Sequence, residues 1–339
     1  MSPGNRLSAH RRVVPRREAG HAGRVTPGGH RAVAVAGLLV IGLVLALAGL
    51  FGPPAAAAAA DRPIRFAVND WTGQRISTRL MGAILTRAGF RIEYVDVNYM
   101  DQLKQLAAGR IDVAMEFWST AGMAALEEAV ADGEVRLFGE TGMIAREEWW
   151  YPSYVVERCP GLPDWRSLKA CASMFAVPET APKGRYLGGP VTWGGFDEER
   201  VEALGLDFEV PHADTEADLY ATLQAAVAKR QPVMLWIYAP HWAPTRFDGE
   251  WVAFPPFFEG CYADRRYDCG KPSGPIWKVG AADLPERWPE AAGAIEAFRI
   301  SNDEMGALIG RVEVDGVDID AVVDDWMVRN EALWKSWLD

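Results

Sequence analysis

The 339-residue sequence has little cysteine, histidine or positive charge: four Cys, five His, and 35 Lys and Arg against 46 Asp and Glu. The net charge of −11 excludes nucleic acid as the expected partner, because phosphate contacts require a basic surface. The cysteine spacing does not fit a zinc ribbon, and no other metal-ligand spacing occurs. A phosphate-binding loop, a GxGxxG fingerprint and a nucleophile elbow are also missing. The sequence therefore predicts no metal, no cofactor and no catalytic residues.

Positive charge is concentrated at the start of the chain. Residues 1–60 contain seven arginines, no lysine and one acid, and the unbroken apolar run Ala32–Phe51 precedes an alanine tract. A basic region, an apolar core and small residues in this order predict a secretory signal peptide, cleaved after Ala60. A retained membrane anchor is the alternative, since about 20 apolar residues can span a bilayer. In both cases we expect residues 61–339 to be exported, to the periplasm or the extracellular face of the cytoplasmic membrane.

The four cysteines agree with export, because disulfides form readily in oxidising compartments. Cys159 precedes Cys171 by 12 residues, and Cys261 precedes Cys269 by 8. Of the possible connectivities, two local disulfides, Cys159–Cys171 and Cys261–Cys269, are the simplest prediction. Four free thiols are the alternative.

The exported part alternates strand-like and helix-like segments. Strands over Ile64–Val68, Arg91–Val97 and Ile111–Phe117 are separated by helices over Gln74–Ala88 and Met100–Ala108, which predicts a parallel sheet with crossover helices. Later segments continue the pattern: strands over Phe175–Val177 and Pro232–Tyr238, and helices over Glu198–Leu204, Glu216–Lys229, Glu286–Phe298, Asn302–Val312 and Ile319–Leu338. The length and this alternation predict an α/β protein of two lobes. In such sheets, ligands bind at the carboxyl ends of strands.

Tryptophan is abundant, with 14 residues, all beyond residue 60. Several aromatic residues stand at strand ends or in loops, where binding residues collect: Trp71 follows the first strand, Trp118 the third, Trp193 lies in the loop GGPVTWGG, and Tyr238 ends a strand. Others, such as Trp326, Trp334 and Trp337, have helical spacing and are expected in the core. The aromatic residues outside the predicted core are candidates for a binding site.

An enclosure of aromatic rings suits a quaternary ammonium, which has no N–H to donate but is attracted by ring faces. Each contact contributes about 0.5–2 kcal/mol, so three walls would give roughly 5 of the about 8 kcal/mol that micromolar binding needs. Backbone N–H groups where Trp71-Thr72-Gly73-Gln74 opens a helix could hold an anionic ligand end. His241 could add a further donor.

Five segments together carry a family resemblance: NDWTGQR, GRIDVAMEFWST, GGPVTWGG, PVMLWIYAPHW and VDDWMVRNEALWKSWL. Over nearly all of residues 63–339 the chain resembles the substrate-binding proteins of glycine betaine/proline/choline ABC importers. The resemblance implies the two-lobed type II periplasmic-binding-protein fold, with lobe I over 61–155 and 271–339, lobe II over 156–270, and a ligand cleft between them. It also implies a monomeric, non-enzymatic receptor that works in osmoprotection with a membrane permease and closes around a quaternary amine such as glycine betaine, choline or proline betaine.

The resemblance also implies individual site residues. Trp118 and Trp193 match two box walls, and Tyr238 stands where the family has a tryptophan, with Trp236 one strand step away on the same face. Choline-type members add a tryptophan matching Trp71 and a hinge aromatic, which here could be Trp150, Tyr151 or Tyr154. The family's loop cysteines beside the second tryptophan are absent. The predicted ligand-binding set comprises Trp71, Gly73, Trp118, Trp150, Tyr151, Trp193, Trp236, Tyr238 and His241.

Two other functions stay open at this point. A secreted carbohydrate-active enzyme would stack sugars on aromatic platforms, with Glu147-Glu148 or Asp324-Asp325 as candidate acids. Adjacent residues usually point apart, however, whereas glycoside hydrolysis needs two facing carboxyls about 5–10 Å apart. A membrane-anchored amine sensor would keep the apolar run and would need a partner for signalling. The sequence does not choose the ligand among the amines.

Overall fold

A computed structural model describes residues 62–338 of the chain. The predicted signal peptide or anchor over residues 1–60, with its apolar run Ala32–Phe51, lies outside this range. Among the helices of residues 62–338, none is both long and apolar enough to cross a membrane.

The described residues form a mixed α/β structure. Its strands are β1 (Ile64–Val68), β2 (Ile92–Asp96), β3 (Val113–Trp118), β4 (Val135–Pro152), β5 (Pro160–Pro163), β6 (Gly184–Arg185), β7 (Phe208–Glu209), β8 (Leu235–Ala239), β9 (Gly249–Trp251) and β10 (Ser273–Ala281). Its α-helices are α1 (Thr72–Arg87), α2 (Gln102–Ala107), α3 (Met123–Ala131), α4 (Leu168–Cys171), α5 (Asp197–Leu204), α6 (Glu216–Ala228), α7 (Ala243–Arg246), α8 (Gly260–Ala263), α9 (Leu284–Arg287), α10 (Pro289–Ala297), α11 (Asn302–Glu313), α12 (Ile319–Arg329) and α13 (Glu331–Lys335). Short 3₁₀ turns cover Tyr99–Asp101, Ser153–Glu157, Trp165–Ser167, Ala172–Phe175 and Val191–Trp193.

The main sheet has the strand order β2-β1-β3-β10-β4-β8, and β9 also pairs with β4. Strands β1, β2 and β3 are parallel, as the strand–helix alternation predicts. Strand β10 is antiparallel to both β3 and β4, and β4 is antiparallel to β8. The sheet is therefore mixed, and the long strand β4 joins the parallel part to the region around β8.

Several predicted elements have different boundaries in the structure. The predicted strand at Phe175–Val177 is wrong, because a 3₁₀ turn over Ala172–Phe175 occupies its start. The predicted helix over Glu286–Phe298 divides at Trp288, which has φ −142° and ψ 72°; a residue before proline disfavours helical geometry. The predicted terminal helix divides at Asn330, whose φ of −113° and ψ of 27° are not helical. The resemblance implies hinge strands near residues 152–156 and 270–274. Ser153–Glu157 forms a 3₁₀ turn and not a strand, and strand β10 begins at Ser273.

The cysteines pair locally, Cys159 with Cys171 and Cys261 with Cys269, which confirms the simplest prediction. Helix α1 packs against α11 and α12, so the C-terminal helices cover the helix that follows β1. Trp326, Trp334 and Trp337 are buried there, as their helical spacing predicts. This packing fixes the start of α1, where Trp71 stands.

Candidate functional site

Aromatic side chains from distant parts of the chain meet around one pocket with a cavity volume of about 30 Å³. Its lining residues are Trp71, Tyr99, Trp118, Glu147, Trp193, Trp236 and Tyr238. This volume is well below the about 300–1,000 Å³ typical of small-molecule sites. The closely spaced rings therefore leave room for only a small group.

Each aromatic residue of the pocket stands at the end of a helix, strand or turn, or on one face of a strand. Trp71 immediately precedes α1, and Trp118 is the last residue of β3. Trp193 ends the 3₁₀ turn in the glycine-rich loop. Trp236 and Tyr238 are two residues apart on β8, so both side chains leave the same face of the sheet.

Four of these rings form a closed circuit. Neighbouring rings are nearly perpendicular, with interplanar angles of 86° for Trp71–Trp118, 75° for Trp118–Tyr238, 90° for Tyr238–Trp193 and 75° for Trp193–Trp71. Their centroids are 5.5 to 6.3 Å apart. A cation at the centre would lie within the about 6 Å reach of cation–π attraction to each ring. Trp236, which also lines the pocket, lies 5.2 Å from Trp193 and 5.3 Å from Tyr238.

Carboxylates bind the polar edges of the walls. Glu116 Oε2 accepts the indole N–H groups of Trp71 at 3.2 Å and Trp118 at 3.0 Å. Asp70 Oδ1 accepts the indole N–H of Trp193 at 2.7 Å, and the Tyr238 hydroxyl donates to Glu216. The hydrogen-bonding edges are thus satisfied within the protein, and ring faces are left to line the pocket.

The glycine-rich loop allows two tryptophans to approach each other closely. A Cβ atom at Gly189 would lie 3.1 Å from Trp236 Cε3 and 3.2 Å from Trp193 Cε3. A larger residue there would have to displace one of the two indoles. The glycine therefore permits the packing that places Trp193 on the circuit.

Glu147 is the one ionisable carboxyl among the pocket-lining residues. It lies on β4, directly opposite Tyr238 in the strand register. Burial raises the pKa of Glu147, and the nearby positive charge of Lys271 acts in the opposite direction. Sequence reasoning missed Glu147 as a pocket residue, because only the pairing of β4 with β8 brings it beside Tyr238.

The first N–H group of α1 is already used within the protein. The backbone N–H of Thr72 donates to Glu216 Oε2 at 2.9 Å. Gly73 is buried against Ile309 and Trp71 and does not line the pocket. The expected anion-binding position at this helix start is therefore filled by a side chain of the protein.

His241 lies behind the pocket. Its ring stacks on Tyr220 at 4.0 Å, and Nε2 lies 3.2 Å from Glu313 Oε2. His241, Glu216 and Glu313 bring potential metal-ligand atoms within 4.8 Å of one another. However, the backbone N–H of Ala243 donates to His241 Nδ1, so the proton of the neutral ring is on Nε2 and points at Glu313. This arrangement is a hydrogen-bond network and leaves no free imidazole nitrogen for a metal.

The hinge aromatics predicted for the site lie elsewhere. Trp150 is buried beside Gly249, where a Cβ atom would come within 1.9 Å of its ring. The Tyr151 hydroxyl donates to Glu250, and that of Tyr154 donates to the Gln231 carbonyl. None of these three aromatic residues lines the pocket; of them, Trp150 and Tyr151 belong to the predicted ligand-binding set. Tyr99, which the sequence did not suggest, takes the position next to Trp71 at 5.6 Å.

Comparisons with known proteins agree with this architecture. Residues 62–329 match the family model described as the substrate-binding domain of the ABC-type glycine betaine transport system. The trimethylamine N-oxide-binding protein of Pelagibacter ubique (strain HTCC1062) is 30% identical over 293 residues, covering 83% of this chain and 92% of that protein.

Two solved structures show the same fold at low sequence identity. Lactococcal OpuAC, in its closed form with glycine betaine, has a TM-score of 0.65 and 14% identity, covering 82% of this chain and 100% of that one. The glycine betaine/L-proline-binding protein ProX of Borrelia burgdorferi has a TM-score of 0.66 and 16% identity, covering 82% and 97%. The chain thus has the two-lobed periplasmic-binding-protein fold that the resemblance implied.

The matched family consists of extracytoplasmic binding proteins and not enzymes. Its members bind small quaternary amines and work with an ABC permease. The family match spans most of the chain, and the aromatic pocket described above is present in the matched part. The chain therefore belongs to the family of substrate-binding proteins of ABC-type glycine betaine transport systems.

Proposed function

We propose that this protein binds a small trimethylammonium compound in the four-ring circuit and delivers it to an ABC permease, and that trimethylamine N-oxide is the preferred ligand. The observation that carries the proposal is a pocket of four nearly perpendicular rings with a single carboxyl, Glu147, on its lining. The rings recognise the methylated nitrogen. Glu147 then selects the group attached to that nitrogen.

A betaine fits this chemistry poorly. Its carboxylate would face Glu147, and like charges repel at short range. The backbone N–H of Thr72, at the helix start that could have compensated, already donates to Glu216. An N-oxide oxygen is instead a strong hydrogen-bond acceptor. Because burial raises the pKa of Glu147, its protonated carboxyl can donate to that oxygen.

The relative from Pelagibacter ubique, whose printed name is trimethylamine N-oxide-binding protein, supports this choice. Choline is the second candidate, since its hydroxyl would donate to an ionised Glu147 and its cation would be attracted by that charge. The two ligands thus require opposite protonation states of Glu147.

Calorimetric titration of the purified protein with trimethylamine N-oxide, choline and glycine betaine tests the proposal. We expect the N-oxide to bind most tightly, and its affinity to fall as pH rises through the pKa of Glu147, because the donor proton is lost. Glu147→Gln keeps an N–H donor, so it should retain N-oxide binding, weaken choline and improve betaine. A protein that binds none of the three compounds would contradict the proposed function, and tightest binding of betaine would contradict the ligand choice.

We further propose that residues 61–155 with 271–339, and residues 156–270, form the two lobes that close on the ligand after export. Asp70 accepts hydrogen bonds from Thr192 at 3.0 Å and Trp193 at 2.7 Å, linking segments on either side of the proposed boundary. Small-angle X-ray scattering should show a smaller radius of gyration when ligand is added. An unchanged radius would argue against closure.

A further inference from the structure

Glu116 lies beneath the corner where two walls of the circuit meet. Its side chain is buried in β3, with 1% exposure of the residue. One carboxyl oxygen accepts both indole N–H groups, from Trp71 and Trp118. The other oxygen lies 2.5 Å from the Ser77 hydroxyl. Glu116 therefore forms hydrogen bonds to two rings of the circuit and would not contact a ligand directly.

Two other buried carboxyl groups have arginine partners, whereas Glu116 has no basic partner. Asp112 is surrounded by Arg62, Arg65 and Arg287, and Glu148 is paired with Arg200. Across residues 62–338, no salt bridge reaches Glu116. A buried carboxylate without a counter-charge is costly.

The groups that face Glu116 are nearly all neutral hydrogen-bonding partners. Tyr99 is a titratable group close to it, since the charge of Glu116 contributes to the raised pKa of Tyr99. Burial raises the pKa of Glu116 itself, although hydrogen bonds from Ser77, Trp118 and Trp71 oppose this effect. Burial without a counter-charge therefore shifts Glu116 toward its protonated form.

Ser77 allows the site to exist in two protonation states. Its hydroxyl oxygen lies 3.1 Å from the Gly73 carbonyl as well as 2.5 Å from Glu116 Oε1. A hydroxyl has one hydrogen. With Glu116 protonated, the carboxyl donates to Ser77 and Ser77 donates to Gly73. With Glu116 ionised, the Ser77 hydrogen turns to Oε1.

We propose that Glu116 is a positioning residue that becomes the counter-charge of the bound trimethylammonium group and releases its proton to solvent when the ligand enters. This inference rests on the proposed function, because it requires a methylated cation inside the circuit. The ligand supplies the positive charge that arginine supplies to Asp112 and Glu148. Ionised Glu116 also holds the Trp71 and Trp118 rings with charge-assisted hydrogen bonds, which are stronger than neutral ones.

The proposal predicts a proton linkage of definite sign. If ligand entry lowers the pKa of Glu116, affinity rises with pH between the bound and the free value. Glu147 has the opposite effect on an N-oxide, because its protonated form is the donor. The two contributions can therefore be separated by variants.

Calorimetry of the wild type, Glu116→Gln and Glu147→Gln with trimethylamine N-oxide, in buffers of different ionisation enthalpy at several values between about pH 6 and 9, counts the protons released. We expect the largest proton release in Glu147→Gln, a smaller net release in the wild type, where uptake by Glu147 offsets part of it, and no release in Glu116→Gln, where any proton exchange is uptake by Glu147. The affinity of Glu116→Gln for trimethylamine N-oxide should be lower by roughly tenfold or more, because this variant loses the negative charge that is separated from the ligand by one indole ring. Its ligand-free melting temperature should match the wild type, because Gln can accept the indole N–H groups.

Release that persists in Glu116→Gln and disappears in Glu147→Gln would overturn the proposal. If Glu116→Gln does not fold, the absence of proton release in Glu147→Gln would overturn the proposal. If Glu147→Gln does not bind the ligand, equal proton release in the wild type and in Glu116→Gln would overturn it. Failure of the wild type to bind any trimethylammonium compound would instead contradict the proposed function.

Discussion

Two tryptophan-rich regions lie next to each other on the β4–β8 strand pair, and only one of them forms a pocket. Trp149 and Trp236 are direct register partners, as are Glu147 and Tyr238. Trp149 is fully buried, with its ring stacked on Tyr186 at 3.9 Å. One face of this strand pair therefore passes from binding site to core within two residues.

Hydrogen bonding does not distinguish the two regions. The Trp149 indole donates to Asp197 at 2.8 Å, much as Trp118 donates to Glu116 at 3.0 Å. The ring faces differ: Phe208 and Phe254 meet the Trp149 ring edge to face, while Tyr186 covers it. In the pocket, neighbouring rings stand nearly perpendicular around empty space. An aromatic residue becomes a cation wall here when its face is left uncovered.

The largest effect should come from deleting the covered ring. Trp149→Ala should lower the free energy of unfolding by about 3–5 kcal/mol, because a large buried side chain is replaced by a cavity. Chemical denaturation measures this loss, with Trp193→Ala as the matched control on the pocket side. Equal losses in the two variants would remove the distinction between core and site.

The next largest effect should be on binding. Trp193→Ala or Trp118→Ala should weaken ligand binding about a hundredfold, since each opens one side of the circuit and removes a cation–π contact. Trp193 is only partly buried, so its variant should stay folded. Calorimetric titration of each variant measures the change. Wild-type affinity in Trp193→Ala would show that the circuit is not the binding site.

A smaller effect should follow from changing only the edge of a wall. Tyr238→Phe keeps the ring face but removes the hydroxyl that donates to Glu216. One lost hydrogen bond corresponds to about 0.5–1.5 kcal/mol, so we expect a several-fold loss of affinity with the same order of ligand preference. Tyr238→Ala provides the comparison that removes the face as well. If both variants bind equally, the ring at this position contributes nothing to the box.

Local sequence patterns predicted the parallel part of the fold well. The strand Ile64–Val68 has the predicted bounds, and the helix after it differs by two residues at its start and one at its end. These elements have clear apolar periodicity. Strand β4 was not predicted from the sequence. It has 18 residues, and its last residues are buried on both faces, so apolar and polar residues do not alternate there. Its partners also lie far away in the sequence.

The pocket was predictable for residues at element ends. Trp71, Trp118 and Trp193 were selected because strands end and loops turn at these positions, and all three line the pocket. Trp150 and Tyr151 were selected through the hinge expected from the resemblance, but the pairing of β4 with β9 buries them. Trp150 pairs with Trp251 and Tyr151 with Glu250 in that register.

The sequence by itself indicated the chemical class of the site. One aromatic residue at a strand end is weak evidence for a binding site, but several of them in an acidic chain without a catalytic motif together pointed to a caged amine. Tertiary structure alone decided which ring faces stay uncovered and which carboxyl groups lie next to those rings. Glu116 meets Trp71 across 45 residues, and Glu147 meets Tyr238 only through strand register. Pairings of this kind depend on long-range packing, because the free energy of a buried charge or an uncovered ring is set by neighbours from other segments.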